Sequence, residues 1–289
     1  MSSDIYRNAQ QGQMGRVFPD ILANRQLLID LVWKDIRVRY RYAAMGFLWA
    51  VLEPLLMMLI LTFVFSFVFQ IEFRSSEGVM TARESAVFIL SGLIAWQFFS
   101  IGVSTATTSL VDNRTLISKV NFPREIIPIS SIGVALVNLV TGALLLIIIY
   151  VVLIGSIPPL TTLLIPILFV FQCLLVVGLG LFFSCHNAQF RDITYMVNAL
   201  LLFGFYATPV IYSANFVLAR LTDRGLEHLY PLLFINPMAG YITSYRALLF
   251  EGEVPSLNLV AWPIICTIIV FFLGLKVFRS QSPTISDKL

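Results

Sequence analysis

Residues 126–190 read IIPISSIGVALVNLVTGALLLIIIYVVLIGSIPPLTTLLIPILFVFQCLLVVGLGLFFSCHNAQF, a run of 65 residues without Asp, Glu, Lys or Arg. A helix of that length, at about 1.5 Å per residue, would be roughly three times as long as a bilayer core is thick. The run must therefore turn back on itself. Gly155 and Pro158–Pro159 lie near its middle, and proline ends a helix because it lacks a backbone N–H. We expect two membrane-spanning helices, 128–154 and 161–185.

The composition of the whole chain agrees with a membrane protein. Of its 289 residues, 58% are hydrophobic and 12% are charged, whereas a soluble domain has about 25% charged residues. The mean hydropathy is +0.87. These values exclude a soluble cytosolic enzyme, and a net charge of +3 is too small to indicate nucleic acid as a partner.

Four further apolar segments are long enough to span a bilayer, and they bring the expected number of spans to six. They are 44–70, 86–111, 193–212 and 256–278. Because the backbone in lipid must satisfy its own hydrogen bonds, we expect an all-α integral membrane protein. Its predicted parts are a cytoplasmic N-terminal tail with an interfacial helix (1–43), a six-helix transmembrane domain (44–278) and a cytoplasmic tail (279–289).

The distribution of Lys and Arg predicts the orientation. Alternate connecting segments, starting with the N-terminal one, carry fourteen basic residues, and the segments between them carry five. Since basic residues accumulate on the cytoplasmic side, both termini are expected in the cytoplasm.

The stretch 229–250, LYPLLFINPMAGYITSYRALLF, is ambiguous because it is long enough to span but contains helix breakers and Arg246. A seventh span would place the C-terminal tail outside. The basic tail favours two half-helices that dip in and out on the outer side, which requires that protein covers their backbone. Pro237 and Gly240, at the centre of the stretch, are the candidate residues of an outer gate.

A basic amphipathic helix is predicted before the first span. Apolar residues that include Leu28, Val32 and Ile36 recur at helical spacing, and this pattern indicates a helix in the inner interface. Its basic residues attract anionic lipid in one interpretation. In the other, Arg37, Arg39 and Arg41 bind a phosphorylated headgroup through paired hydrogen bonds.

Signatures of catalysis are missing from the sequence. There is no phosphate-binding loop, no HExxH and no GxGxxG, and the chain has two histidines. We therefore expect neither enzyme activity nor a metal site or cofactor in this chain.

Residues that could contact a transported substrate lie on three of the spans. Glu53 is the only acid deep in a predicted span, and it either takes part in transport or is hydrogen-bonded inside the bundle beside Pro54. Tyr195, Asn198 and Tyr206 share one helix face in the fifth span. We expect a channel lined by Glu53, by this face of the fifth span, and by Trp49 and Trp96. The alternative for the fifth-span face and the two tryptophans is that they pack between helices.

Several motifs occur in an order that resembles the membrane subunits of polysaccharide ABC exporters of type 2, the permeases for O-antigen, capsule and teichoic acid. They are LVWKDIRVRYRYAAMGFLWAVLEPLLMM (31–58), KVNFPREIIP (119–128), FRDI (190–193), YATPVIY (206–212) and INPMAGYI (235–242). The resemblance covers nearly the whole chain.

The resemblance implies a transport subunit in a bacterial inner membrane. Two copies would form a homodimer, each with a cytoplasmic ABC ATPase subunit that holds ATP and Mg, and would export a glycan linked to a lipid pyrophosphate. Arg37, Arg39 and Arg41 would then receive the pyrophosphate.

The resemblance also implies that the 112–125 loop is the coupling helix that fits into the ATPase. Asp112 and Asn113 are good N-caps, and Leu116, Ile117 and Val120 form an apolar cluster at helical spacing. We assign Leu116, Ile117, Val120, Phe122 and Arg124 to this contact; the alternative is that the helix rests on the membrane surface.

Two other functions remain open from the sequence alone. One is an ATP-independent flippase for lipid-linked sugars, which predicts coupling through ionisable residues. The other is an integral membrane glycan transferase, which predicts clustered Asp, Glu or His. The sequence has one deep acid and no such cluster.

Overall fold

The computed structural model describes residues 22–41, 45–69, 74–75, 78–120 and 122–288. In these residues the secondary structure is helical except for a short hairpin of two-residue strands, β1 (Arg74–Ser75) and β2 (Gly78–Val79). The α-helices are α1 (Arg25–Tyr40), α2 (Trp49–Thr62), α3 (Ala82–Asp112), α4 (Arg114–Lys119), α5 (Ile126–Ile154), α6 (Ile165–Gln189), α7 (Ile193–Ala207), α8 (Ala214–Thr222), α9 (Pro237–Arg246) and α10 (Leu257–Lys288).

Short 3₁₀ and π segments extend several of these helices. The 3₁₀ segments are Gly46–Leu48, Leu160–Leu164 and Glu227–Ile235, and the π segments are Phe63–Val68 and Ala247–Glu251. The predicted N-terminal tail, 1–21, lies outside the described residues.

Five of the predicted spans are confirmed as helical segments long and apolar enough to cross a membrane. They are Gly46–Val68, Ala82–Asp112, Ile126–Ile154, Leu160–Gln189 and Leu257–Ser282. The predicted fifth span, 193–212, was too long, because α7 ends at Ala207 after 15 residues. Thr208 is extended (φ −96°, ψ 143°) since the next residue is Pro209, which disfavours helical backbone before it. The count of six spans stays a prediction.

The turn inside the uncharged run lies where the sequence predicts it. Helix α5 ends at Gly155, which has φ +79° and donates its N–H to the carbonyl oxygen of Val151 at 3.0 Å. Glycine adopts this left-handed backbone without strain, and the prolines that follow prevent the helix from continuing.

Helix α3 is the centre of the bundle. In the apolar part of α3, 78% of the residues are buried inside the protein, whereas the corresponding share in the first span is 11%. Helix α3 packs most extensively against α5 and α6. A capping box fixes its start: the Thr81 N–H donates to Glu84 Oε2 at 2.6 Å, and the Glu84 N–H donates to Thr81 Oγ1.

Glycines allow α6 and α10 to approach closely. A Cβ atom on Gly178 would lie 2.7 Å from the Cα atom of Phe271, and one on Gly274 would overlap the carbonyl oxygen of Gly178. Small residues at such crossings bring helix backbones together in membrane proteins. Helix α10 then continues unbroken beyond residue 278, so the predicted tail begins as part of the same helix.

Helix α1 lies against α5 while part of its surface stays exposed. A Cβ atom on Gly133 would lie 2.5 Å from a methyl carbon of Val32, so the two helices are in close contact. Ile29, Trp33 and Val38 are exposed apolar side chains on α1. This pattern agrees with the predicted interfacial helix.

The predicted pair of half-helices is the 3₁₀ segment Glu227–Ile235 followed by α9, and the two meet at Asn236. The Asn236 side chain caps α9 by accepting the Met238 N–H at 3.0 Å, and it donates to Thr208 Oγ1 at 2.7 Å. Helix α9 packs against α3, α6 and α10, so protein covers its backbone.

Candidate functional site

An open groove of about 600 Å³ runs between α2, α3 and α7. Helix α2 contributes Glu53 and Met57, α7 contributes residues that include Asn198 and Tyr206, and Arg39 of α1 lies at the edge. The groove brings together residues that are far apart in the sequence.

One face of α3 forms the floor of this groove. Its residues are Leu93, Trp96, Gln97, Ser100, Ile101, Ser104 and Thr105, which follow the three- and four-residue spacing of a single helix face. Its polar members, Gln97, Ser100, Ser104 and Thr105, were not predicted from the sequence. Their helical spacing in an apolar span was the signal that could have found them.

The hydroxyl groups on this floor are held by nearby acceptors. Ser104 donates to Asn198 Oδ1 at 3.1 Å and so joins α3 to α7. Thr105 donates to the carbonyl oxygen of Ile101 at 2.8 Å, and Ser100 donates to that of Gln97 at 3.3 Å. Each hydroxyl oxygen can still accept a hydrogen bond, so the floor can receive donors from a polar ligand.

Trp96 forms the wall between the groove and a second cavity of about 220 Å³ inside the bundle. Its ring centroid lies 5.3 Å from that of Phe99 and 6.1 Å from that of Phe205. A Cβ atom on Gly204 would lie 2.9 Å from the Trp96 ring, so α7 packs directly on it. The groove therefore has an aromatic surface beside its polar floor.

Four of the predicted channel residues line the groove: Glu53, Trp96, Asn198 and Tyr206. Glu53 is exposed on the wall of the groove in the single subunit, and both of its predicted roles stay predictions. Trp49 and Tyr195 lie outside the groove on the exposed surface, with 77% of Tyr195 accessible. Tyr195 lies one turn before Asn198, and the residues of α7 that line the groove begin at Asn198, so the place of Tyr195 in a channel stays a prediction.

The three predicted headgroup arginines do not form one cluster. Arg39 lines the groove, whereas Arg37 and Arg41 are four residues apart on another side of α1. All three side chains are exposed. Arg39 is the member that lines the groove, and a headgroup site made by all three arginines stays a prediction.

The predicted coupling helix is α4, and its apolar residues point in different directions. Ile117 is 8% exposed and packs in a buried cluster with Leu110 and Phe278, whereas Val120 is 49% exposed. Phe122 packs against the same cluster. The prediction that Leu116, Ile117 and Val120 form one exposed patch was wrong for Ile117, since α4 uses this residue to attach to the bundle.

Neighbouring helices hold both sides of α4. Lys34 Nζ of α1 donates to Asn113 Oδ1 at 2.7 Å. After α4, Arg124 donates to the carbonyl oxygen of Ser282, and Arg279 Nε lies 3.4 Å from Glu125 Oε1. We call this side of the bundle the Glu125 end. Here α1, α4 and α10 are joined by polar contacts.

The opposite side contains the predicted outer gate, and we call it the Arg246 end. Pro237 is the first residue of α9, where its missing N–H costs little. Gly240 is buried, and a Cβ atom there would overlap Pro263 and lie 3.1 Å from the carbonyl oxygen of Leu259. Gly240 therefore allows close packing of α9 on α10. Its role in an outer gate, like that of Pro237, stays a prediction.

Comparison of the sequence with known protein families identifies one match. Residues 26–250 match the ABC-2 type transporter family. This chain belongs to that family. Similar curated proteins include the O-antigen export system permease protein RfbA of Myxococcus xanthus, 28% identical over 96% of this chain and 100% of that protein. Two forms of the RfbA permease from Klebsiella pneumoniae are 27% and 28% identical, each over 88% of this chain and 91% of the relative.

Membership in the ABC-2 type transporter family confirms the family predicted from the motifs. The chain has several long apolar helices and belongs to a family of transporters. It is therefore a multi-pass membrane protein and a component of a transport system.

Proposed function

We propose that this ABC-2 transporter is the membrane subunit of an ATP-driven exporter that moves a lipid-linked polysaccharide out of the cytoplasm. The groove between α2, α3 and α7 is the observation that carries the proposal. The relatives are O-antigen export system permeases by name, and this supports the choice of a polysaccharide.

The lining of the groove suits a sugar chain. Aromatic faces such as that of Trp96 pack against the C–H faces of sugar rings. The oxygens of Ser100 and Asn198 can bind sugar hydroxyls. Because Gln97, Ser100 and Ser104 follow one face of α3, successive sugar units can make equivalent contacts as the chain moves.

Arg39 is proposed to bind the phosphate of the lipid carrier. Its exposed guanidinium lies at the edge of the groove, where the interfacial helix approaches α2. An arginine can donate two parallel hydrogen bonds to a phosphate. The headgroup would then be held at the entrance while the glycan enters the groove.

A homodimer would convert the open groove into a closed passage. A two-fold axis places the same open face of two subunits against each other. We propose this arrangement, with one cytoplasmic ATPase subunit bound to each permease subunit. ATP and Mg belong to that partner.

The proposed ATPase contact is made by Leu116 of α4 together with Val120 and Arg124, which follow this helix. The buried side chain of Ile117 and the ion pair between Glu125 and Arg279 attach α4 and the segment after it to the bundle. A movement of the ATPase would therefore be transmitted through α4 directly to the membrane-spanning helices.

The proposed orientation places the Glu125 end in the cytoplasm. The fourteen-to-five distribution of basic residues between alternate connections supports it. Both termini would then be cytoplasmic, and the Arg246 end would face outwards across the inner membrane.

Copurification with the ATPase tests this function directly. A tagged form of this chain, expressed with its ATPase partner, should retain the ATPase on an affinity column. Export of polysaccharide should stop when the nucleotide site of the ATPase is inactivated, while the complex still forms. Continued export without ATP hydrolysis would favour the ATP-independent flippase instead.

A further inference from the structure

The floor of the groove between α2, α3 and α7 presents hydroxyl oxygens whose hydrogens are already used. Ser100, Ser104 and Thr105 each donate to an oxygen of the protein itself, at distances from 2.8 to 3.3 Å. A hydroxyl group has one hydrogen to donate and two lone pairs that accept. Towards a ligand in the groove, these three side chains therefore act as hydrogen-bond acceptors.

Glu53 adds a further acceptor on the wall of the same groove. It lies in the second turn of α2 and is exposed there. A carboxylate accepts hydrogen bonds through both oxygens and donates none. Among the described residues that line the groove, the charged ones are Glu53 and Arg39, and Arg39 lies at the edge. The described lining inside that edge therefore carries one negative charge and no positive charge.

This lining is unfavourable for an acidic sugar unit. Carboxylate and phosphate groups accept hydrogen bonds, so on leaving water they need donors and a positive charge. The amide groups of Gln97 and Asn198 can donate, but these neutral groups do not balance a negative charge beside Glu53. Repulsion between like charges is stronger inside a membrane protein than in water, because the dielectric constant is lower. An anion in the groove is therefore both poorly bound and repelled.

A neutral sugar unit matches the same lining. Its hydroxyl groups can donate to the oxygens of Ser100 and Thr105 and to the Glu53 carboxylate. In the proposed homodimer, two Glu53 carboxylates would face one passage. The units of a long chain pass these carboxylates one after another, so an acidic group in every repeat would meet the repulsion repeatedly.

We propose that the groove selects glycans whose repeating units carry no acidic group, and that Glu53 determines this specificity. The inference rests on the proposed function, in which a glycan moves through the groove, and it adds the charge class of that glycan. A polymer of neutral sugars is accepted, whereas a polymer of uronic acids or phosphodiesters is rejected. The lipid pyrophosphate differs because one such group accompanies a whole chain, and Arg39 lies at the edge of the groove to bind it.

Protection of an introduced cysteine tests this selection inside the groove. In the full-length chain without its three native cysteines, Ile101→Cys places a thiol on the floor and removes no hydroxyl group. The purified protein in phosphatidylcholine nanodiscs is labelled with a maleimide in the presence of maltotetraose, which is neutral, or of tetragalacturonate, which is acidic. Maltotetraose should slow the labelling, and tetragalacturonate should need a roughly tenfold higher concentration for the same protection.

Two variants identify the groups responsible for the selection. Glu53→Gln keeps the size of the side chain and removes its charge, so the preference for maltotetraose should fall from roughly tenfold to about twofold. Ser100→Ala removes one acceptor oxygen from the floor and should weaken protection by maltotetraose roughly threefold. Glu227→Gln is the matched control, because Glu227 is exposed and lies outside the groove lining, and it should keep the tenfold preference.

Three results would overturn the proposal. Equal or better protection by tetragalacturonate would show that the groove does not select against acidic sugars. A preference that survives Glu53→Gln would show that Glu53 does not determine it. Absence of protection by both tetrasaccharides would remove the groove from the path of the glycan. The first two results leave the proposed export function standing, and ATP-driven export is tested separately by copurification and by inactivation of the ATPase.

Discussion

The phenolic hydroxyl of Tyr245 donates a 2.7 Å hydrogen bond to the side-chain oxygen of Gln172, deep inside the bundle. The amide nitrogen of Gln172 in turn donates to the carbonyl oxygen of Ala95 at 2.8 Å. This chain of hydrogen bonds joins α9, α6 and α3. The half-helix α9 is therefore fixed to two membrane-spanning helices.

Removal of the Tyr245 hydroxyl should destabilise the protein. Tyr245→Phe leaves the buried oxygen of Gln172 without its donor, and such a loss costs about 1–3 kcal/mol. Thermal unfolding of the purified protein in detergent should show a lower melting temperature. Tyr195→Phe, at an exposed tyrosine, is the control and should leave the melting temperature unchanged. Equal melting temperatures for the two variants would contradict this role of Tyr245.

Cysteine labelling tests the orientation. In a variant without the three native cysteines, single cysteines at Ser118 and Ser280 should be protected from a membrane-impermeant maleimide in spheroplasts. A cysteine at Asp223 should react, because it is exposed at the Arg246 end. Reaction of position 280 from outside would reverse or break the proposed topology.

Arg39→Lys distinguishes headgroup recognition from simple attraction to lipid. Lysine keeps the charge but loses the planar pair of donors, and we expect export to fall by roughly tenfold, about 1.4 kcal/mol. Arg37→Lys is the matched control, because Arg37 is exposed on another side of α1 and outside the groove lining. If both variants export at the native rate, lipid attraction is a sufficient role for these arginines.

Val120→Asp should separate ATPase docking from folding. Val120 is exposed, so an added carboxylate there should prevent docking and stop export while the protein stays inserted and dimeric. Ile117→Asp places the charge in the buried cluster and should lower the amount of folded protein instead. Ser280→Asp, at an exposed site on the same end, is the control for added charge. Normal ATPase binding by Val120→Asp would show that coupling uses another surface.

The sequence predicted those features that depend on local chemistry. The uncharged run and Gly155 locate the turn between two spans, and the helix breakers around Pro237 predict the two half-helices. The spacing along α7 identified Asn198 and Tyr206. Each of these depends on the length, polarity or backbone preference of a short segment.

The features that sequence reasoning missed depend on how the helices rotate and pack. Because lipid and a bundle interior are both apolar, hydrophobicity does not fix which face of a span points inward. Ile117 was misassigned for this reason. The carbonyl groups around Arg246 come from α3 and the turn after α7, and a carbonyl acceptor has no residue signature in a sequence.

The ion pair between Glu125 and Arg279 permits a charge-exchange test of the coupling region. The pair joins the segment before α5 to the end of α10, and both side chains are largely buried. Glu125→Arg or Arg279→Glu alone places like charges together, and each should reduce export and lower the melting temperature. The double variant should recover part of both losses, with a coupling energy of roughly 0.5–3 kcal/mol between the two positions. If the melting temperature recovers and export does not, the original orientation of the pair also matters for transport. The two measurements therefore distinguish a role in folding from a role in coupling. If the double variant is no better than the single ones in either measurement, the contact does not hold the coupling helix in place.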